Sequence, residues 1–190
     1  MPHFLLRPLF VCIILAVCAA LPTVAQAGDD IPLRYGIGAA YAASFNTSGD
    51  IDCAMGVANV SAKYNDLFDS SLSENLHLKL EGLAGASTTE PRGRFVGGVA
   101  LIGQYYLDAL STQMLKPYVE AGMGIGFTDF EVSRQGTRCN FLSLGGIGTD
   151  IVTESRTYFA SLHVQHLSNA DTNDDNRGLN ALRLTVGLYF

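Results

Sequence analysis

The sequence predicts an all-β fold, an eight-stranded antiparallel transmembrane β-barrel, and three observations carry that prediction. Long stretches alternate with a period of two, as a wall with lipid on one side and a lumen on the other requires. Only 16% of the 190 residues are charged and 20 are glycine, where a soluble domain carries about 25% charged residues. The last strand ends on the last residue: Leu182, Leu184, Val186, Leu188 and Phe190 share one face, and Tyr189 adds an aromatic near the interface.

Residues 1–27, MPHFLLRPLFVCIILAVCAALPTVAQA, read as a secretory signal peptide. They hold one basic residue, Arg7, an apolar run from Leu9 to Leu21, and the small-x-small ending Ala25-Gln26-Ala27. The run is short for a spanning helix, which needs about 20 residues. Cleavage before Gly28 leaves residues 28–190 as one barrel domain. The first strand, 31–45, places Leu33, Tyr35, Ile37, Ala39, Tyr41, Ala43 and Phe45 on one face and Arg34, Gly36, Gly38, Ala40, Ala42 and Ser44 on the other. Strands follow at 53–65, 75–87 and 93–108, the second being less regular. In the fifth, 116–130, Val119, Ala121, Met123, Ile125 and Phe127 oppose Tyr118, Glu120, Gly122, Gly124 and Gly126. The sixth, 139–152, is irregular, and a bulge near Gly145-Gly146 would explain it. The last two are 157–168 and 180–190. Turn-rich segments such as NTSGD, TTEPRGR, SRQGTR and NADTNDDNRG separate the strands. Parity puts Arg34, Lys79, Glu81, Glu120 and Arg183 in the lumen. Charges of both signs there imply a salt-bridged plug rather than an open pore.

A formal charge of −6, one unit more negative once Arg7 leaves, argues against nucleic acid as a partner. Cys53 and Cys139 remain after cleavage, near the ends of outward loops, and the sequence leaves a disulfide and two free thiols equally open. There is no CxxC and no zinc-type spacing, so neither a metal nor another cofactor is expected. A terminal Phe on an alternating strand resembles the sorting signal of bacterial outer-membrane proteins. The expected location is therefore the outer membrane, with the lipids of that membrane as surroundings and both termini in the periplasm.

Chemistry concentrates in HVQHLSNADTNDDNRGLNALRLTVGLYF, residues 163–190. On the seventh strand His166 and Ser168 share the apolar face with Leu162 and Val164, whereas His163 points the other way, so the two histidines make no metal pair. On the eighth strand Asn180 shares its face with Leu182, Leu184 and Val186. All three polar residues thus lie outside, where the apolar band ends, beside the extracellular 169–179 loop. A base near a hydroxyl activates it for acyl transfer, and a third group holds the imidazole in its useful tautomer. By spacing alone, His-x-Ser fits ordinary interfacial polar residues better than a catalytic pair.

The longer string HLSNADTNDDNRGLN, followed by a terminal amphipathic strand, resembles the lipid A 3-O-deacylase (PagL) family of outer-membrane barrels. His166, Ser168, Asn169 and Ala170 match its His-x-Ser-Asn-Ala motif, and Asn176 and Gly178 match its Asn-x-Gly turn. The resemblance implies a serine esterase that removes the ester-linked 3-hydroxyacyl chain from the lipid A of lipopolysaccharide. Ser168 would be nucleophile, His166 general base, and Asn169 a holder of the oxyanion. Two positions depart from the family. Asn180 stands where the family has its catalytic glutamate, and Asp171 where active members tend to have glycine. Asp171, Asp174 and Asp175 are candidate substitutes for the acid. The alternative is a non-catalytic structural or lipopolysaccharide-binding barrel that has lost the triad acid. A homodimer is compatible with the sequence.

Overall fold

The computed structural model describes residues 31–45, 51–68, 70–89, 92–130 and 134–190; the expected signal peptide lies outside them. Eight strands follow in chain order: β1 (Arg34–Ser44), β2 (Asp52–Lys63), β3 (Leu76–Ser87), β4 (Phe95–Tyr106), β5 (Leu115–Thr128), β6 (Cys139–Val152), β7 (Thr157–Ser168) and β8 (Leu179–Tyr189). Each pairs antiparallel with the next, and β1 also pairs with β8, from Gly36↔Tyr189 to Ser44↔Ala181, so the sheet closes on itself. Closure leaves no unpaired strand edge, the condition for a sheet surrounded by lipid. A one-turn helix, α1 (Tyr64–Phe68), and a 3₁₀ turn at Asp108–Leu110 occupy the rim that carries both ends of the barrel. The other rim carries the β1–β2, β3–β4, β5–β6 and β7–β8 loops. Among the described residues no helix is long and apolar enough to cross a membrane.

Alternation sorts the side chains as expected. Ile37, Tyr41, Leu101, Met123, Ile147, Val164, Leu184 and Phe190 are exposed on the outer wall. Eight strands enclose a lumen just wide enough for packed side chains, and this lumen has two different halves. Toward the loop rim it is apolar: Ala42, Cys53, Met55, Val57, Val96, Phe130 and Leu179 form one buried cluster. Toward the terminal rim it is charged. Lys79 pairs with Glu120 and lies 3.8 Å from Glu81, Arg183 Nη2 reaches Glu81 at 2.6 Å, and His163 Nε2 meets Glu120 at 2.5 Å. All five are buried, so the plug foreseen from Lys79, Glu81, Glu120 and Arg183 is there, with His163 added. Arg34 sits lower, half-buried against Asp150 at 2.8 Å and over the Tyr189 ring at 3.9 Å.

One expectation needs revision, and one open alternative is decided. The sixth strand has no bulge: its register runs unbroken on both sides, through Ala121↔Gly145↔Val164 and Glu120↔Gly146↔His163. Its irregular look has a packing origin, because the inward Gly146 and Gly148 leave room for the rings of His163 and Tyr118. Cys53 and Cys139 are both free, the first buried in the lumen and the second exposed.

Candidate active site

The site forms where β7 and β8 meet the loop rim. Register places His166 directly opposite Asn180, with Ser143 of β6 on its other side. The side chains of His166, Ser168 and Asn180 all project outward; His166 is exposed and the other two are half-buried. His166 Nδ1 lies 2.6 Å from Asn180 Oδ1. An amide oxygen only accepts, so Nδ1 carries the proton and the lone pair is left on Nε2. Ser168 has no hydrogen-bond partner among the described residues, and its hydroxyl is free to turn toward that nitrogen. Catalytic hydrogen bonds of this kind often tighten only when substrate is bound.

The ring is held from a second direction. Gly178, the last residue before β8, has φ +69°, and a Cβ built on it would fall 2.6 Å from His166 Cε1 and 3.3 Å from Nε2. The imidazole therefore occupies the space that any other residue at 178 would fill. Left-handed φ and this close approach both demand glycine there.

Asn169 was expected to hold an oxyanion, and the structure places it differently. It is 1% exposed, and its Nδ2 donates to the carbonyls of Gln135 at 2.8 Å and Asp175 at 2.7 Å. Its backbone N–H donates to Asn176 Oδ1 at 3.0 Å. Every donor of Asn169 is thus engaged, two within the β7–β8 loop and one across to the β5–β6 loop, a link reinforced where Arg177 N–H donates to Arg134 O at 2.9 Å. The next two residues, Ala170 (φ 50°) and Asp171 (φ 58°), are left-handed, and Thr172 N–H donates to Asn169 O at 3.1 Å. These are the features of a type I′ turn, in which both central residues have positive φ. The N–H groups of Ala170 and Asp171 have no hydrogen-bond partner among the described residues. Successive N–H groups in such turns form concavities that receive anions.

None of the three aspartates takes the place of the acid. Asp171 accepts from Asn176 Nδ2 at 2.8 Å, Asp174 and Asp175 are exposed, and the partner at His166 Nδ1 is Asn180. Among the described residues no group of three or more His, Cys, Asp and Glu side chains is disposed to hold a metal ion. Sequence reasoning did not single out Ser143, the outward residue of β6 directly opposite His166.

A family model described as Lipid A 3-O-deacylase (PagL) matches residues 56–189. Among solved structures, that of the outer membrane enzyme PagL superposes with a TM-score of 0.60 at 18% identity, covering 80% of this chain and 97% of that one. The N-terminal β-barrel domain of Pseudomonas aeruginosa OprF gives 0.46 at 16% identity, and Ail, the attachment invasion locus protein of Yersinia pestis, gives 0.48 at 12%. Each of these two covers 83% of this chain and 97% of its own. At 18% identity the likeness to the PagL structure speaks for the fold alone. No curated protein matches the chain in sequence.

Proposed function

The chain belongs to the lipid A 3-O-deacylase (PagL) family and is an integral protein of the bacterial outer membrane, and from that premise we propose that it is a serine esterase hydrolysing the ester-linked 3-hydroxyacyl chain of lipid A. The observation that carries the reading is the bond from His166 Nδ1 to Asn180 Oδ1 at 2.6 Å, with Ser168 two residues along on the same outward face. A site on the lipid-facing wall receives an acyl chain from the membrane, with no passage through water.

In this mechanism the Ser168 oxygen attacks the ester carbonyl carbon while His166 Nε2 takes its proton. The carbonyl π electrons move to oxygen, and the resulting oxyanion is received by the N–H groups of Ala170 and Asp171. Asn169 acts beneath them, holding the turn in place through Gln135 and Asp175. Collapse breaks the bond to the sugar oxygen, which leaves as an alcohol with the proton from His166. Water, deprotonated by the same nitrogen, then releases the 3-hydroxy fatty acid and restores Ser168.

Asn180 orients the imidazole but brings no charge to stabilise the imidazolium. Replacing a triad carboxylate by its amide costs about 10⁴ in kcat in a serine protease, so turnover is expected to be slow. The same residue favours a second reading, a barrel that binds lipopolysaccharide without hydrolysing it. The test is mass spectrometry of lipid A after incubating lipopolysaccharide with refolded protein in detergent, beside Ser168→Ala. Loss of one hydroxyacyl chain with the native protein alone is the expected result. Unchanged lipid A from a folded barrel, and again from Asn180→Glu, would support the binding protein.

A further inference from the structure

We propose that the barrel carries a second binding site, a polar cavity at the terminal rim that takes a free α-amino acid as its zwitterion. The cavity lies at the other end of the barrel from His166 and Ser168, on the side expected to face the periplasm, and does not depend on the deacylase reading.

Inward positions of six strands meet at this rim. Arg34 of β1, His77 of β3, Tyr106 of β4, Lys116 of β5, Asp150 of β6 and Thr157 of β7 line a cavity of about 380 Å³. That is within the range of small-molecule sites, about 300–1,000 Å³. At about 30 Å³ for each water-sized group, it has ample room for one amino acid.

Asp150 is the anchor. It is 3% exposed, and its Oδ2 accepts from Arg34 Nη2 and from the Tyr106 hydroxyl, each at 2.8 Å. Arg34 is fixed in turn, donating from Nη1 to Tyr106 at 2.9 Å and lying over the Tyr189 ring. These bonds leave Asp150 Oδ1 enclosed without a partner, and His77 Nδ1 is enclosed without one as well. A carboxylate oxygen only accepts, so Oδ1 calls for an N–H or O–H donor, and leaving it bare is costly.

Lys116 supplies the opposite charge. Register puts it directly opposite Asp150 on the neighbouring strand, where Cα atoms stand about 4.5–5.5 Å apart. An ion pair between the two would be the ordinary outcome. Instead Arg34 and Tyr106 hold the Asp150 carboxylate, and Lys116, half-buried, has no ion-pair partner among the described residues. One wall of the cavity thus offers an acceptor in need of a donor and, beside it, a cation in need of an anion. A molecule with ammonium and carboxylate on one carbon answers both, its ammonium toward Asp150 and its carboxylate toward Lys116. A lone anion there would face the carboxylates of Asp150 and Asp108, and a lone cation would face Lys116 and Arg34. Charged partners on both sides make such hydrogen bonds the stronger kind.

The experiment titrates L-alanine into the refolded full-length barrel in detergent and follows binding by saturation-transfer NMR. Propionate, which is alanine without its ammonium, and ethylamine, which is alanine without its carboxylate, serve as comparators. The native protein is expected to bind alanine about tenfold more tightly than either, the worth of one charge-assisted hydrogen bond. Lys116→Ala should bind alanine and ethylamine alike while still preferring alanine to propionate. Because Lys116 bonds to nothing, that variant should fold like the native barrel, checked by heat-modifiable migration. Asp150→Asn, where it folds, should lose the preference over propionate. Equal affinity of the native protein for all three probes overturns the assignment, as does a Lys116→Ala variant that still prefers alanine to ethylamine. Absence of saturable alanine binding, together with a lower unfolding temperature in Lys116→Ala, would overturn it in favour of a structural pair between Lys116 and Asp150.

Discussion

His163 and His166 stand three residues apart on β7, on opposite sides of the barrel wall, and each is bonded through its ring to side chains of other strands: His163 at both nitrogens, His166 at one. Inside, His163 Nε2 meets the Glu120 carboxylate at 2.5 Å, while Arg183 Nη2 donates to Nδ1 at 3.3 Å. Outside, His166 Nδ1 meets the Asn180 amide at 2.6 Å. The interior pair has the acid that catalysis wants, but it is sealed in the lumen, with His163 fully buried. The outer pair has the proposed nucleophile, Ser168, and the membrane, but an amide. Counter-charge explains the difference. In the lumen Lys79 and Arg183 face Glu120 and Glu81 in a closed set of contacts. The outer wall around His166 presents Val164, Leu182 and Met123, where a carboxylate lacks a permanent cation to face. A neutral amide orients the imidazole at lower cost, and gives up charge stabilisation of the transition state.

Exchanging the two chemistries tests this account. Asn180→Glu makes the outer pair resemble the inner one, and carries the largest expected effect: kcat for lipid A deacylation should rise by up to about 10⁴, with KM little changed. A variant no faster than the native protein would mean that the imidazolium is stabilised by some other group. The converse change, Glu120→Gln, makes the inner pair resemble the outer one and leaves Lys79 facing an amide. A buried charge deprived of its partner destabilises by about 3–5 kcal/mol, readable as a shift of the urea midpoint in detergent or of the gel temperature at which the barrel unfolds. Activity per folded molecule should stay constant, because Glu120 touches nothing on the outer face. Loss of activity in barrels that remain folded would show that the two histidines are coupled through β7.

How much of this could be read from the sequence follows from which rules are local. Strand number and facing were legible because the period of two is fixed by backbone geometry, and the eight observed strands begin and end within about three residues of the expected ones. β2 was hard to read for a physical reason. Its inward Cys53, Met55 and Val57 line the apolar half of the lumen while its outward face carries Ala54, Gly56 and Ala58, so both faces look alike. β6 was hard because Gly146 and Gly148 are spaces for rings of neighbouring strands. At the site, parity alone put His166, Ser168 and Asn180 on one face, and the β7–β8 register made His166 and Asn180 opposite. The burial of Asn169 was not legible, since it depends on Gln135, 34 positions away in a different loop. Nor was the link from His163 to Glu120, across 43 positions. Such contacts exist only once the sheet has closed.

The smallest expected effect concerns Asp171, the second central residue of the turn beside Ser168. Glycine at 171 removes the left-handed penalty of a side chain at φ 58°, worth about 1 kcal/mol. It also deletes the 2.8 Å bond from Asn176 Nδ2 to Asp171 Oδ1, an exposed hydrogen bond worth about the same. The two nearly cancel, so the unfolding temperature of Asp171→Gly should lie within about 2 °C of the native value. The electrostatic change does not cancel. A carboxylate on the residue that carries one of the two N–H groups proposed to receive the oxyanion would repel the charge developing there, and its removal should raise kcat about threefold at low salt. That gain should shrink as salt rises, because an exposed charge is screened within about 10 Å at 0.1 M ionic strength. A fall in kcat at unchanged stability would reverse the role: Asp171 would then be supplying the negative charge that Asn180 lacks, and the outer histidine would have an acid after all.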